Sequence, residues 1–142
     1  MFEQLMRTLS KSLKMESFLP LSDGSYSLEV DNLVVAIQQH SNWILWETSL
    51  SFQFSEQYDY REEASIKKCM LHTMRKLRSS PSTLTINKDK QLVVQGKIKL
   101  EDCSIELFIQ YLSEHITFVE LLNDELEQEH VNKSINQTVW LP

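Results

Sequence analysis

At 142 residues, with 42% apolar and 24% charged residues, the chain has the size and composition of one globular domain. A net charge of −6 is opposite in sign to a nucleic-acid-binding surface, and no run approaches the ~18 apolar residues of a membrane span. Two cysteines are too few for a disulfide framework, which points to a cytosolic location, and two glycines are too few for a phosphate-cradling loop.

Residues 2–14 place Phe2, Leu5, Met6, Leu9 and Leu13 at helical spacing, with Glu3, Arg7, Lys11 and Lys14 between them. This is a short amphipathic helix and lacks the continuous apolar core of a signal peptide. Pro20 and the Ser22-Asp23-Gly24-Ser25 cluster end it. Tyr26, Leu28 and Val30 alternate with polar residues as in a half-buried strand. Asp31-Asn32 predicts a tight turn into a second strand, Leu33–Gln38, and His40-Ser41-Asn42 another into a long third strand from Trp43 to Phe54. Asp59 and Glu62 have capping-box spacing for a second helix, whose stripe is Ile66, Cys69, Met70, Thr73 and Leu77. Leu84 and Ile86, the loop Asn87-Lys88-Asp89-Lys90, and a returning strand with Leu92, Val94, Ile98 and Leu100 on one face predict a hairpin. The other face of that strand, Val93, Gln95, Lys97 and Lys99, suits water or a partner's charged rim. Asp102 is the expected cap of a third helix with the stripe Ile105, Phe108, Ile109, Leu112, Ile116, Val119, Leu122 and Leu126. Residues 127–142 are expected as a flexible, mostly polar tail that ends in Val139, Trp140 and Leu141 before Pro142.

The order is therefore α-β-β-β-α-β-β-α, without repeat or linker. Short turns imply antiparallel pairing, so the expected fold is one α+β sandwich over residues 1–142: a twisted antiparallel sheet with helices on one side.

Catalytic patterning is missing. His40, His72, His115 and His130 have no metal-site spacing, no nucleophile elbow is present, and no cofactor is implied. Cys69 lies on an apolar stripe, where a thiol is usually a small buried hydrophobe, and His115 is expected as a partly exposed surface histidine. The expected class is a binding protein, not an enzyme. What needs explaining is the stretch 33–46, LVVAIQQHSNWILW, which is apolar at odd and even positions alike. Helices on one side of a sheet cover one face. Either the Val139-Trp140-Leu141 tail or a loop covers the other, or a protein partner does. On the third strand the even series runs Ile44, Trp46, Leu50, Phe52, so Trp43 and Leu45 are expected to face outward.

Several stretches carry a resemblance to a known family: Tyr26-Ser-Leu-Glu-Val-Asp with Leu33-Val-Val, Trp43-Ile-Leu-Trp-Glu-Thr, Thr83-Leu-Thr-Ile with Gln91-Leu-Val-Val-Gln-Gly-Lys-Ile-Lys-Leu, and the helix from Ser104 to Leu126. With the element order, length and acidic balance, they resemble the class I chaperones of bacterial type III secretion systems. The 83–100 hairpin is most similar to the small subunit of the heterodimeric chaperone that escorts the gatekeeper protein. The resemblance implies a bacterial cytosolic dimer that binds the N-terminal region of a secreted effector or gatekeeper protein, without ATP, and keeps it secretion-competent. It implies client-binding patches at Leu5, Met6, Leu9 and Leu13, with Val35, Trp43 and Leu45 on the strands. It places a dimer interface on Ile66, Cys69, Met70, Thr73 and Leu77, with a second copy or with another class I chaperone. It also leaves open a regulatory adaptor that sequesters a transcription regulator or polymerase subunit. The second helix bears Lys67, Lys68, Arg75, Lys76 and Arg78 with no acidic residue between them, while Glu101 to Glu129 holds nine acidic residues and no cation. Such a basic helix suits an acidic, different partner better than its own copy.

Overall fold

The computed structural model describes residues 1–15, 18–53, 60–76 and 78–139, with side chains described at all of these except 52–53 and 128–139. Eight elements follow the expected order: α1 (Phe2–Ser12), β1 (Tyr26–Val30), β2 (Leu33–His40), β3 (Trp43–Gln53), α2 (Tyr60–Lys76), β4 (Thr83–Ile86), β5 (Gln91–Lys99) and α3 (Ile105–Val139). A single 3-10 turn, Leu100–Asp102, joins β5 to α3. The sheet is wholly antiparallel in the order β1-β2-β3-β5-β4, so β1 and β4 form its edges.

Turn chemistry fixes the register. Val30 pairs with Leu33, which leaves Asp31 and Asn32 as a two-residue loop, both at positive φ (49° and 69°), as a primed hairpin turn requires. His40 pairs with Trp43 across Ser41 and Asn42. In the last hairpin the Asn87 side-chain oxygen accepts bonds from the amides of Asp89 and Gln91, each 2.9 Å, which closes the expected loop.

The inner sheet face carries two apolar clusters under α3. One joins Phe2, Met6 and Leu9 of α1 to Tyr26, Leu28, Val35, Ile37, Ile44 and Trp46, closed by Phe108 and Leu112. The second joins Leu50, Leu92 and Val94 to Cys69 of α2 and to Phe118, Val119, Leu122 and Leu126. Each large side chain buried this way stabilises by roughly 1.5–3 kcal/mol relative to exposure.

Between the clusters lies a polar contact. His115 is fully buried, so it is a core residue and not the expected surface histidine. Its Nε2 lies 2.8 Å from the Thr48 hydroxyl of β3, and its Nδ1 lies 3.1 Å from the Ser82 hydroxyl just before β4. The spacing 108, 112, 115, 119, 122 puts it on the inward stripe, and two hydroxyls make its burial tolerable.

Three smaller expectations change. Ser104, not Asp102, caps α3, its hydroxyl accepting from the Leu107 amide at 3.2 Å. The helical backbone continues through the expected tail to Val139. Val93 is fully buried although it shares its face with Gln95 and Lys97, flanked in register by Ser49 and Thr85. Asp59 and Phe54 lie outside the described residues.

Candidate protein-interaction site

Outward on the sheet, strand parity places Val34, Ala36, Gln38 and His40 of β2 beside Trp43, Leu45 and Glu47 of β3, and those beside Gln95, Lys97 and Lys99 of β5. Directly paired residues share a face, so Gln38, Leu45 and Lys97 form one row and His40, Trp43 and Lys99 the next. Trp43 and Leu45 are half-buried on this face and Val34 is 52% exposed. The face is concave: a depression of about 520 Å³ has Ala36, Leu45 and Glu47 among its lining, between Ser25 on one side and Pro81 on the other. Glu47 accepts a 2.6 Å hydrogen bond from the Gln95 amide.

Two further apolar surfaces stand clear of the sheet. Leu13 at the end of α1 is exposed, with Leu19 and Leu21 in the segment leading to edge strand β1. On α2, Met70, Leu71 and Met74 are all more than half exposed and occupy one stripe at i, i+1 and i+4, with Lys67 and Arg75 beside them. Ile86 on edge strand β4 is exposed as well.

Several residues expected on interaction surfaces belong instead to the interior. Val35 is buried, because β2 pairs Ile37 with Trp46 and Gln38 with Leu45, which turns its odd positions inward. Met6 and Leu9 are buried in the first cluster, with Leu5 packed at its margin, so only Leu13 of the four α1 residues is exposed. Cys69 and Thr73 are buried: Cys69 packs under α3, and the Thr73 hydroxyl donates to the Cys69 carbonyl at 3.1 Å. Ile66 is half-buried against the same cluster, while Met70 is exposed. Leu77 lies outside the described residues. Sequence reasoning missed Leu71 and Met74. A stripe drawn through 66, 69, 70 and 73 selects the face that α2 needs for its own core. The adjacent face, apolar at 70, 71 and 74, was the available signal for a second contact.

The chemistry of the remaining reactive groups is quiet. Burial raises the Cys69 thiol to about 11, with the Glu125 carboxylate adding to the effect, and burial alone raises Cys103 to about 11. Neither is therefore the activated thiolate that nucleophilic catalysis uses. We expect iodoacetamide at pH 8 to label the native protein at least ~10-fold more slowly than the urea-unfolded chain. Native labelling as fast as unfolded labelling would contradict this assignment. Elsewhere His72 Nε2 meets Glu125 Oε1 at 3.1 Å and links α2 to α3. Among the described residues no helix is long and apolar enough to cross a membrane, and no three potential metal ligands converge.

These features are found on a known scaffold. No protein-family profile matches the chain. The chaperone protein YscB of Yersinia enterocolitica is 19% identical over 124 residues, 87% of this chain and 90% of that protein. Among solved structures, a chain of the HopA1–SchA chaperone–effector complex superposes with a TM-score of 0.68 at 14% identity, covering 87% of this chain and 93% of the other. A chain from the complex of the Yersinia pestis type III secretion chaperone SycH with a stable fragment of YscM2 gives 0.64 at 13% identity, covering 86% and 99%. The superpositions span most of both chains, and the chain has the fold of the type III secretion chaperones.

Proposed function

We propose that this chain is a type III secretion chaperone. As a single domain and one half of a dimer in the bacterial cytosol, it binds the N-terminal region of a secreted effector or gatekeeper protein and keeps it soluble and secretion-competent. The observation that carries this reading is the match, over 87% of the chain, to a chain of a chaperone–effector complex. The function is binding, not catalysis. Both thiols are held protonated by burial, and the hydroxyl–imidazole cluster Ser82–His115–Thr48 has its imidazole closed to solvent.

The physical chemistry supports the division of labour. A client held in extended form gives up several kcal/mol of conformational freedom, so its contacts must be spread over a long surface. The outer sheet face and the apolar end of α1 offer such a surface beside the edge strand β1, where backbone pairing is available. The exposed α2 stripe is the dimer contact, an apolar centre with a charged rim as protein interfaces commonly have.

Coexpression with the neighbouring secreted proteins, followed by affinity purification and light scattering, tests the proposal. The expected result is a dimer that co-elutes with one client, and a double substitution Leu71→Glu/Met74→Glu that yields a folded monomer whose melting temperature no longer depends on protein concentration. A monomer at micromolar concentration with no bound client would overturn the reading. Recovery of a transcription component in place of a secreted protein would move the function to a regulatory adaptor.

A further inference from the structure

The outer sheet face is not uniformly apolar, and its charges are placed unevenly. Lys97 and Lys99 both bring their ammonium groups over the indole of Trp43, at 5.0 and 5.8 Å from the ring centre. Each contact of this kind is worth on the order of 1 kcal/mol at an exposed site. Trp43 is therefore less an open apolar anchor than a platform that holds two cations side by side. Register places His40 next to Trp43 in the same row. Among the described residues neither lysine has a carboxylate within ion-pair distance. The acidic group on this face nearest in register, Glu47, is engaged by Gln95. Glu47 keeps its charge in that bond, so in a chain of net charge −6 the cationic site is confined to the Lys97–Trp43–Lys99 corner. It borders the depression, whose lining includes Ala36, Leu45 and Lys97 together with the acidic residues Asp23 and Glu47.

We propose that this corner binds an acidic–apolar stretch of the client, in which an apolar side chain rests on Leu45 and Ala36 while a carboxylate two residues along reaches Lys97 and Lys99. The inference rests on the client-binding reading above and specifies the chemistry that the client supplies. In an extended segment, residues i and i+2 project to the same side roughly 7 Å apart, so one apolar and one acidic residue at that spacing reach Leu45 and the lysine pair together. At the Lys97–Lys99 corner charge complementarity selects a carboxylate over a cation, because a cation there faces two adjacent ammonium groups, neither of them in an ion pair among the described residues.

Short synthetic peptides repeating Leu-Ser-Glu-Ser, and the same peptides with Lys in place of Glu, test the assignment by fluorescence anisotropy at low and moderate salt. The wild-type chain should bind the acidic peptide at least ~10-fold more tightly than the basic one, and the preference should shrink as salt screens it. The double substitution Lys97→Glu/Lys99→Glu, both at exposed positions, should keep the melting temperature and reverse the preference. Amide shifts in nuclear magnetic resonance spectra should fall on Ala36, Leu45 and Lys97. Equal binding of the two peptides, no binding of the acidic one, or a preference unchanged in the double variant overturns the inference. If a client still co-purifies in any of those cases, the chaperone reading stands and only this assignment falls.

Discussion

Replacing Gly96 by alanine should destabilise the protein by about 3 kcal/mol or more, among the largest losses expected from adding one methyl group. Gly96 pairs with Trp46 across β3 and β5, and a Cβ built on Gly96 would overlap the Trp46 indole. The indole has little room to retreat. It stands edge-on to Phe108 at 5.7 Å and stacks on Tyr111 at 6.3 Å, both on α3, and is 1% exposed. A methyl group at 96 therefore pushes either the ring or α3 away from the sheet. In a close-packed interior such a shift loosens many contacts at once. Urea unfolding would measure the loss. If the clash is the cause, adding Gly96→Ala to a Trp46→Leu background should cost far less than adding it to the wild type, because the overlapping ring is gone. A Gly96→Ala variant within ~0.5 kcal/mol of wild type would contradict the packing described here.

The second large effect is on pH. Burial lowers the His115 pKa from 6.5 to about 4 in the folded protein, since desolvation beside two neutral hydroxyls disfavours the imidazolium. The unfolded chain then binds the proton more readily than the folded one. Stability from this group is complete above pH 6.5 and is lost as pH falls toward 4. The loss is about 2 kcal/mol at pH 5 and about 3 kcal/mol at pH 4. His115→Leu separates this term from other acid effects. At pH 7 the variant should be less stable, because the Thr48 and Ser82 hydroxyls are left buried without their partner, at roughly 1–3 kcal/mol each. As the pH falls the gap should close, because only the wild type carries the titrating imidazole. A gap that stays constant from pH 7 to pH 4.5 would show that His115 does not titrate as described.

Much of the site was legible along the chain, and the reasons differ from residue to residue. The long even series of β3 admits one inward choice, which turns Trp43 and Leu45 outward. The two-residue turn at Asp31-Asn32 was readable because polar residues that tolerate positive φ are few and their positions are specific. Val35 was not readable in the same way. Its neighbours Val34 and Ala36 are apolar too, so parity in β2 is set only by the strand it pairs with. Met6, Leu9, Cys69 and Thr73 show the same limit for helices. An apolar stripe announces that something will cover it, but not whether the cover is the same chain or another. Alternation along the last hairpin puts Lys97 and Lys99 on one outward face, and only the β3–β5 register brings them over the Trp43 ring.

By itself, the sequence determined the element order, the antiparallel connectivity and the presence of more apolar strand surface than one layer of helices can cover. Those follow from local quantities: periodicity, turn residues and helix stops, each decided within a few positions. Tertiary structure alone decided which parity of LVVAIQQH faces α3, which side of α2 is core, and that His115 sits between two clusters instead of at the surface. The physical reason is that burial is a property of pairs of elements. A strand has two equivalent faces until register joins it to a neighbour, and a stripe on a helix has no partner until the sheet beneath it is assembled.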